Sequence, residues 1–246
     1  MWLQALGAPA ATSLLAWQQA QCDALLADVF GYHALQVGHA PLQALQANRM
    51  PHRWMANTEY TLPGAGEALT SDLSMDSRAW PLAAESLDLV VLPHVLEACS
   101  DPHACLREVE RVLIPEGQVL ILGLNPWSRW GWRARQQWQA ERRLMPEAAL
   151  GQGPMQLGRL RDWLRLLNLE VQRVRLYPSV PRWWLLGRGW PWLGGAYMVL
   201  ASKHVPGLKT IRPAKGWRQR STTGLAPASS GPARGAASGK QHHPGL

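Results

Sequence analysis

The stretch Ser86-Leu87-Asp88-Leu89-Val90-Val91-Leu92-Pro93-His94-Val95-Leu96-Glu97 constrains the fold more than any other. Leu87 to Leu92, apolar but for one aspartate, is short and branched enough to predict a strand buried on both faces. Pro93 signals a loop. Ser100-Asp101-Pro102 then opens a helix, with Asp101 placed to cap it and Pro102 at its first position. Cys105, Leu106, Val109, Val112 and Leu113 recur at helical spacing and give that helix one apolar face. Pro115-Glu116-Gly117 stops it, and Gln118 to Gly123 is a second buried strand. Strand, helix and strand of this kind cross over right-handed into a parallel sheet, so the chain reads as α/β.

The run from Trp80-Pro81-Leu82 through Ser86 to Val91, His94-Val95-Leu96-Glu97, Asp101-Pro102 and Leu106 to Gly117 resembles the class I S-adenosylmethionine-dependent methyltransferases. The likeness is to their small-molecule methyltransferase domains, which carry the pattern LPF…SFDLV…HVLEH…DP…L.E..RVLKPGG. It implies a Rossmann-like, seven-stranded, mostly parallel sheet with helices on both faces and the last strand antiparallel. It also implies S-adenosyl-L-methionine as cofactor. The likeness extends over most of Leu35 to Lys203 and is densest from Asp76 to Gly123.

Upstream, Ser13 to Phe30 is predicted as a helix that breaks at Gly31, and Ala34 to Gly38 as the first strand. A short helix is expected near Leu42 to Ala47. Arg53 to Asn57 reads as the second strand and Leu69 to Leu73 as the third. The resemblance puts a glycine-rich loop after the first strand, where bare backbone approaches the methionine part of the cofactor. Here the loop reads Gln36-Val37-Gly38-His39-Ala40-Pro41: Gly38 remains, and Gln36 stands where an acid is usual. For the ribose hydroxyls the resemblance asks for an acid at the end of the second strand. Asn57 and Glu59 are the nearest candidates, and a polar loop residue is the alternative for each.

Asp76-Ser77-Arg78-Ala79-Trp80-Pro81-Leu82 aligns with the family's D-A-E-x-L-P-F. By that match Asp76 accepts from the adenine amine and the Ser77 backbone N–H points at the ring. A carboxylate suits this place because its lone pairs select an amine over a carbonyl; a turn-forming aspartate is the other reading. Pro93 and His94 fall just past the carboxyl end of the central strand, where open parallel sheets bind ligands. His94 either faces the sulfonium or the methyl acceptor, as a candidate base, or is hydrogen-bonded at the strand end. Asn125, Trp127 and Trp130 follow the fifth strand and form a candidate substrate wall. Arg129 to Arg143 is predicted as a helix, within an insertion over about 126–150. It is either a lid over an apolar or aromatic acceptor or an amphipathic helix with tryptophan as core filling.

Leu157, Leu160, Trp163, Leu164 and Leu167 make a core-facing helical stripe ended by Asn168. Leu169 to Val174 and Gly195 to Lys203 read as the sixth and seventh strands, the last inserted antiparallel between the fifth and sixth. Between them, Tyr177 to Gly194 is rich in tryptophan. It either caps the same crevice or rests on a membrane surface. Trp183 to Ala201 holds Arg188, Pro191 and four glycines, which is poor material for a membrane span.

The net charge of +8 is not spread evenly. Lys209 to Leu246 carries seven basic residues and no acid, leaving 18 basic against 17 acidic in the rest. The domain, residues 1–208, is therefore near neutral, and 209–246 reads as a disordered basic tail. A near-neutral domain argues against nucleic acid as partner, since phosphate contacts dominate such binding. Three cysteines without metal spacing, and an N-terminus unlike a signal peptide, suit the cytoplasm and an enzyme with no bound metal. No catalytic triad, phosphate loop or zinc motif is present. The functional expectation is methyl transfer to a small apolar or aromatic acceptor. A binding or regulatory protein on the same scaffold is the alternative, favoured by the altered glycine loop. The sequence leaves the oligomeric state open.

Overall fold

A computed structural model of the chain describes residues 6–38, 41–58, 72–143, 151–178 and 194–204. Seven strands form one sheet: β1 (His33–Val37), β2 (His52–Thr58), β3 (Leu73–Met75), β4 (Leu87–Pro93), β5 (Leu113–Leu124), β6 (Leu169–Pro178) and β7 (Gly194–Lys203). Their order across the sheet is β3-β2-β1-β4-β5-β7-β6. The first five strands run parallel, and β7 lies antiparallel between β5 and β6. This is the arrangement the resemblance implied. The helices are α1 (Ala8–Leu26), α2 (Val95–Ala98), α3 (Pro102–Val112), α4 (Arg129–Arg142) and α5 (Leu157–Leu166).

The central strand explains why the sheet has two covered faces. Along β4, Leu87, Val90 and Leu92 enter one core with Leu106 and Val109 of α3 and Leu160 of α5. Leu89 and Val91 enter the opposite core with Cys22, Leu25 and Leu26 of α1. Each such fully buried side chain contributes about 1.5–3 kcal/mol. Asp88, the one charge, accepts the N–H groups of Tyr32 at 3.0 Å and His33 at 2.9 Å, so it holds the entry to β1. A Cβ on Gly31 would lie 2.4 Å from the Asp88 Cβ. Only glycine lets the chain pass there.

The core helix forms as its sequence demands. The Asp101 carboxylate accepts the Ala104 N–H at 2.9 Å, and Cys105, Leu106, Val109 and Val112 face inward. Corrections lie at the margins. The first helix spans Ala8–Leu26 rather than Ser13 to Phe30, because Pro9 suits a first turn and residues before Gly31 unwind toward Asp88. Residues 44–47 form turns, not a helix; their backbone is held by the Gln36 side chain instead of by a helical ladder. The third strand is Leu73–Met75 rather than Leu69 to Leu73; residues 69–71 fall outside the described residues. Pro93 closes β4, paired with Leu122, instead of opening a loop. The turn at Glu116, with φ of 64°, is absorbed as an irregularity within the longer β5. β6 likewise runs on to Pro178, where a shorter strand was expected. Parts of the insertion (144–150), the tryptophan-rich loop (179–193) and the tail (205–246) lie outside the described residues. Among the described residues, no helix is long and apolar enough to cross a membrane.

Candidate functional site

Parallel strands bring the residues after β1 to β5 to one edge of the sheet, and that edge has two contrasting halves. At the β4–β5 half, every strand end is tied inward. His94 adopts the left-handed conformation with φ of 59°, and its backbone N–H donates to the Leu122 carbonyl at 3.0 Å. Its ring is buried. The Gln18 amide of α1 lies 2.8 Å from Nε2, and Nδ1 lies 3.0 Å from a Glu97 carboxylate oxygen. An amide nitrogen can only donate, so Nε2 accepts and the Nδ1 N–H faces Glu97. The second Glu97 oxygen accepts the Leu124 N–H at the end of β5. The Gly153 N–H meets the Glu97 carbonyl at 3.0 Å. One acidic side chain thus joins β4, β5 and, through the imidazole, α1.

The β1–β3 half is built differently. Gly38, with φ of 69°, takes a conformation that side chains resist, and its N–H donates to the Ala56 carbonyl at 2.7 Å. Just before it, the buried Gln36 uses both ends of its amide. Oε1 accepts the Ala44 N–H at 2.9 Å, and Nε2 donates to the Leu42 carbonyl at 2.5 Å. A carboxylate could not donate to that carbonyl, which explains glutamine at the position where the family carries an acid. Near the end of β2, Asn57 has a buried Oδ1 without a hydrogen-bond partner among the described residues, and just past β3 the buried Ser77 Oγ likewise has none. Buried polar atoms of this kind are rare in finished cores. Asn57 lies on the strand next to the one Gly38 ends, and Ser77 follows the strand beyond it. Asp76, next to Ser77, keeps its carboxylate partly exposed; it accepts the Arg78 N–H at 2.8 Å, and the Arg78 guanidinium approaches to 3.4 Å. These bonds, the backbone one foremost, hold its carboxyl below the usual range.

A clamp that the sequence pattern did not reveal as functional sets the Asp76–Ser77 turn in place. Glu108 accepts the Trp80 N–H at 2.9 Å, while Arg111 donates to the carbonyls of Trp80 at 3.0 Å and Leu82 at 2.9 Å. The two side chains pair at 2.8 Å. The three-residue spacing of Glu108 and Arg111 on one helix was the available signal. Glu97 was equally readable, three residues after His94.

Of the anticipated site residues, the structure brings Gly38, Asp76 and Ser77 to one end of the sheet edge, and Pro93 and His94 to its middle. His94 has the bonds of a strand-end anchor, the second of its two readings. Glu59 lies outside the described residues. Asn125 turns the chain after β5, with its Oδ1 accepting the Trp127 N–H at 3.1 Å. Ser128 caps α4 by accepting the Gly131 N–H at 2.9 Å. Trp127 is 74% exposed, whereas Trp130 stacks on Tyr177 at 5.0 Å between ring centres. Tyr177 in turn meets Trp17 edge-on and bonds Ser13 at 2.8 Å. Tryptophans 127 and 130 therefore part company: one is packing, the other points to solvent. A shallow groove of about 360 Å³ beside Gln36, Arg53, Trp54 and Asp72 shares only Gln36 with this edge.

Comparison with known proteins bears on the fold. Residues 54–121 match the family described as Methyltransferase domain. The uncharacterized protein YafS of Escherichia coli (strain K12) is 29% identical over 198 residues, covering 76% of this chain and 74% of the relative. A demethylmenaquinone methyltransferase of Chlamydia pneumoniae is 39% identical over 56 residues, 23% of this chain and 24% of that protein. Among solved structures, an S-adenosylmethionine-dependent methyltransferase from Archaeoglobus fulgidus superposes with a TM-score of 0.53 at 14% identity, covering 77% of this chain and 94% of that one. At that identity the likeness concerns the fold.

Proposed function

We propose that this chain, which carries a class I S-adenosylmethionine-dependent methyltransferase domain, transfers a methyl group from that cofactor to a small apolar or aromatic acceptor. The observation that carries the reading is the pair of buried atoms without a hydrogen-bond partner among the described residues, Asn57 Oδ1 near the end of β2 and Ser77 Oγ just past β3, on the strands next to the left-handed Gly38 after β1. The residues present fit the cofactor at its adenosine end. Asp76 and the Ser77 turn would hold the adenine, Asn57 the ribose, and the Gly38 backbone the methionine part. When bound, the cofactor supplies an electrophilic methyl on a sulfonium with a good leaving group.

What remains for the protein is alignment, which in well-held reactants lowers a barrier by roughly 7–11 kcal/mol. Gly38 and the β3 turn orient one reactant. Asn125 and the tryptophan-bearing start of α4 border the place where the other enters. His94, with both ring nitrogens engaged, fixes the strand end between them. An apolar or aromatic acceptor suits the open Trp127 ring near that border, and the short likeness to a demethylmenaquinone methyltransferase supports the same reading.

A second reading, binding or regulation without turnover, is favoured by Gln36, whose amide closes the loop after β1 on itself. The two separate in one assay. Purified protein is incubated with methyl-labelled S-adenosylmethionine and a panel of aromatic and quinone-like acceptors. Label in an extracted product supports methyl transfer. Cofactor binding without label in any acceptor supports the second reading.

A further inference from the structure

Helix α4 is anchored by one face and exposed on the other. Inward, Ala134 is fully buried, Trp130 stacks on Tyr177, and a Cβ on Gly131 would lie 1.9 Å from the Asn125 carbonyl oxygen. Outward, Arg129, Trp132, Arg133 and Gln136 share the solvent face at spacings of three and four residues, with Arg135 also exposed. Trp132 is 59% exposed and Trp127, just before the helix, 74%. No acidic residue occurs from Asn125 to Ala140. Folding therefore explains Trp130 and Trp138, which pack inward, but not Trp127 or Trp132.

We propose that the outer face of α4, with Trp127, Trp132, Arg129, Arg133 and Arg135, docks on an anionic phospholipid bilayer. An indole ring has an apolar body and one N–H donor, so it favours the boundary between acyl chains and hydrated headgroups. Arginine adds attraction to anionic headgroups and lays its stem along the apolar layer. A single-stranded nucleic acid also takes tryptophan and arginine, but it needs a basic groove that follows its backbone. Here the face is one convex helix on a domain close to neutral. The helix begins at the carboxyl end of β5, so docking would set the sheet edge against the bilayer. An acceptor dissolved in lipid would then reach the site directly, a consequence that rests on the proposed function; the docking itself does not.

The test is co-sedimentation of the full chain with vesicles of phosphatidylglycerol and phosphatidylcholine, and with pure phosphatidylcholine, at physiological and at high salt. The basic tail contributes adsorption that high salt screens, so the comparison rests on variants of the helix. A double variant, Trp127→Ser with Trp132→Ser, is expected to bind mixed vesicles at least about tenfold more weakly at both salts. A second, Arg129→Gln with Arg133→Gln, is expected to bind anionic vesicles more weakly than the parent at physiological salt, with binding to neutral vesicles unchanged. All four positions are exposed, and thermal unfolding shows whether the variants fold as the parent does. Vesicle binding by the tryptophan variant equal to that of the parent would overturn the proposal. So would binding of the parent to a single-stranded oligonucleotide in preference to vesicles, lost in the same variant. Because no step uses the cofactor, failure here leaves methyl transfer standing.

Discussion

The two halves of the sheet edge use the same kind of strand ending for opposite purposes. After β4 and β5, His94 and Glu97 spend their polar atoms on Gln18 and the Leu124 N–H, and the edge is braced from within, with the far oxygen of the Gln18 amide its one unmet atom among the described residues. After β2 and β3, Asn57 Oδ1 and Ser77 Oγ are buried with no partner, and Asp76 stays partly open. An unmet buried polar group costs about 1–3 kcal/mol. A fold keeps such atoms where something else completes them. The difference supports reading the central half as scaffold and, under the function proposed above, the β1–β3 half as receptor.

That contrast can be broken at its strongest point first. Glu97→Ala leaves the His94 Nδ1–H and the Leu124 N–H without their buried acceptor, and should lower unfolding stability by about 1–3 kcal/mol for each in a denaturant titration. A loss under about 1 kcal/mol would mean the central half is not braced by this residue. Next, Gln36→Glu sets a carboxylate oxygen against the Leu42 carbonyl. It should cost about 2 kcal/mol and leave cofactor affinity no better, although it restores the family's acid. Tighter cofactor binding by that variant would show that the loop, not the β3 turn, limits affinity.

The receptor half should respond in binding rather than in stability. Asp76→Ala is expected to weaken cofactor affinity at least about tenfold, near 1.4 kcal/mol, with the melting temperature unchanged. Behind it, Glu108 sharpens the contrast by pH. Its carboxyl is held below the usual carboxylate range, first by the hydrogen bond from the Arg111 guanidinium. A lowered carboxyl stabilises the fold above its unfolded value and loses that contribution as pH falls through the folded one. Glu108→Gln should thus be less stable than the parent at neutral pH, by under about 1 kcal/mol, and equal to it in strong acid. A difference that persists in acid would assign the effect to packing. The smallest effect concerns the thiols. Burial pushes Cys22 up to about 12, and the contact with the Cys99 thiol, with burial added, raises Cys105 well above its usual value, so neither should react with a thiol reagent until the protein unfolds. Labelling of the native protein would contradict their place in the core.

The sequence made the scaffold half readable and left the receptor half partly hidden, for a physical reason. Leu87, Val90 and Leu92 on one face and Leu89 and Val91 on the other leave a periodic trace in the chain, as do the cap at Asp101 and the stripe of α3. The site depends on single atoms whose neighbours are distant in sequence. Nothing in the run Gln36-Val37-Gly38 shows that the glutamine amide bonds Leu42 and Ala44. The likeness to methyltransferases located Asp76 and Ser77, but not that Glu108 and Arg111 clamp their turn through Trp80 and Leu82. His94 could be placed at the strand end, while its partner Gln18 came from α1, 76 residues earlier.

Calorimetric titration of the full chain and of its Asp76→Ala variant with S-adenosylmethionine tests the receptor half most directly. The expected result is saturable binding by the parent, an affinity at least about tenfold weaker in the variant, and equal melting temperatures for the two. Absence of binding by the parent at millimolar cofactor, or equal affinity in both proteins, would contradict the assignment of the β1–β3 edge as the cofactor site.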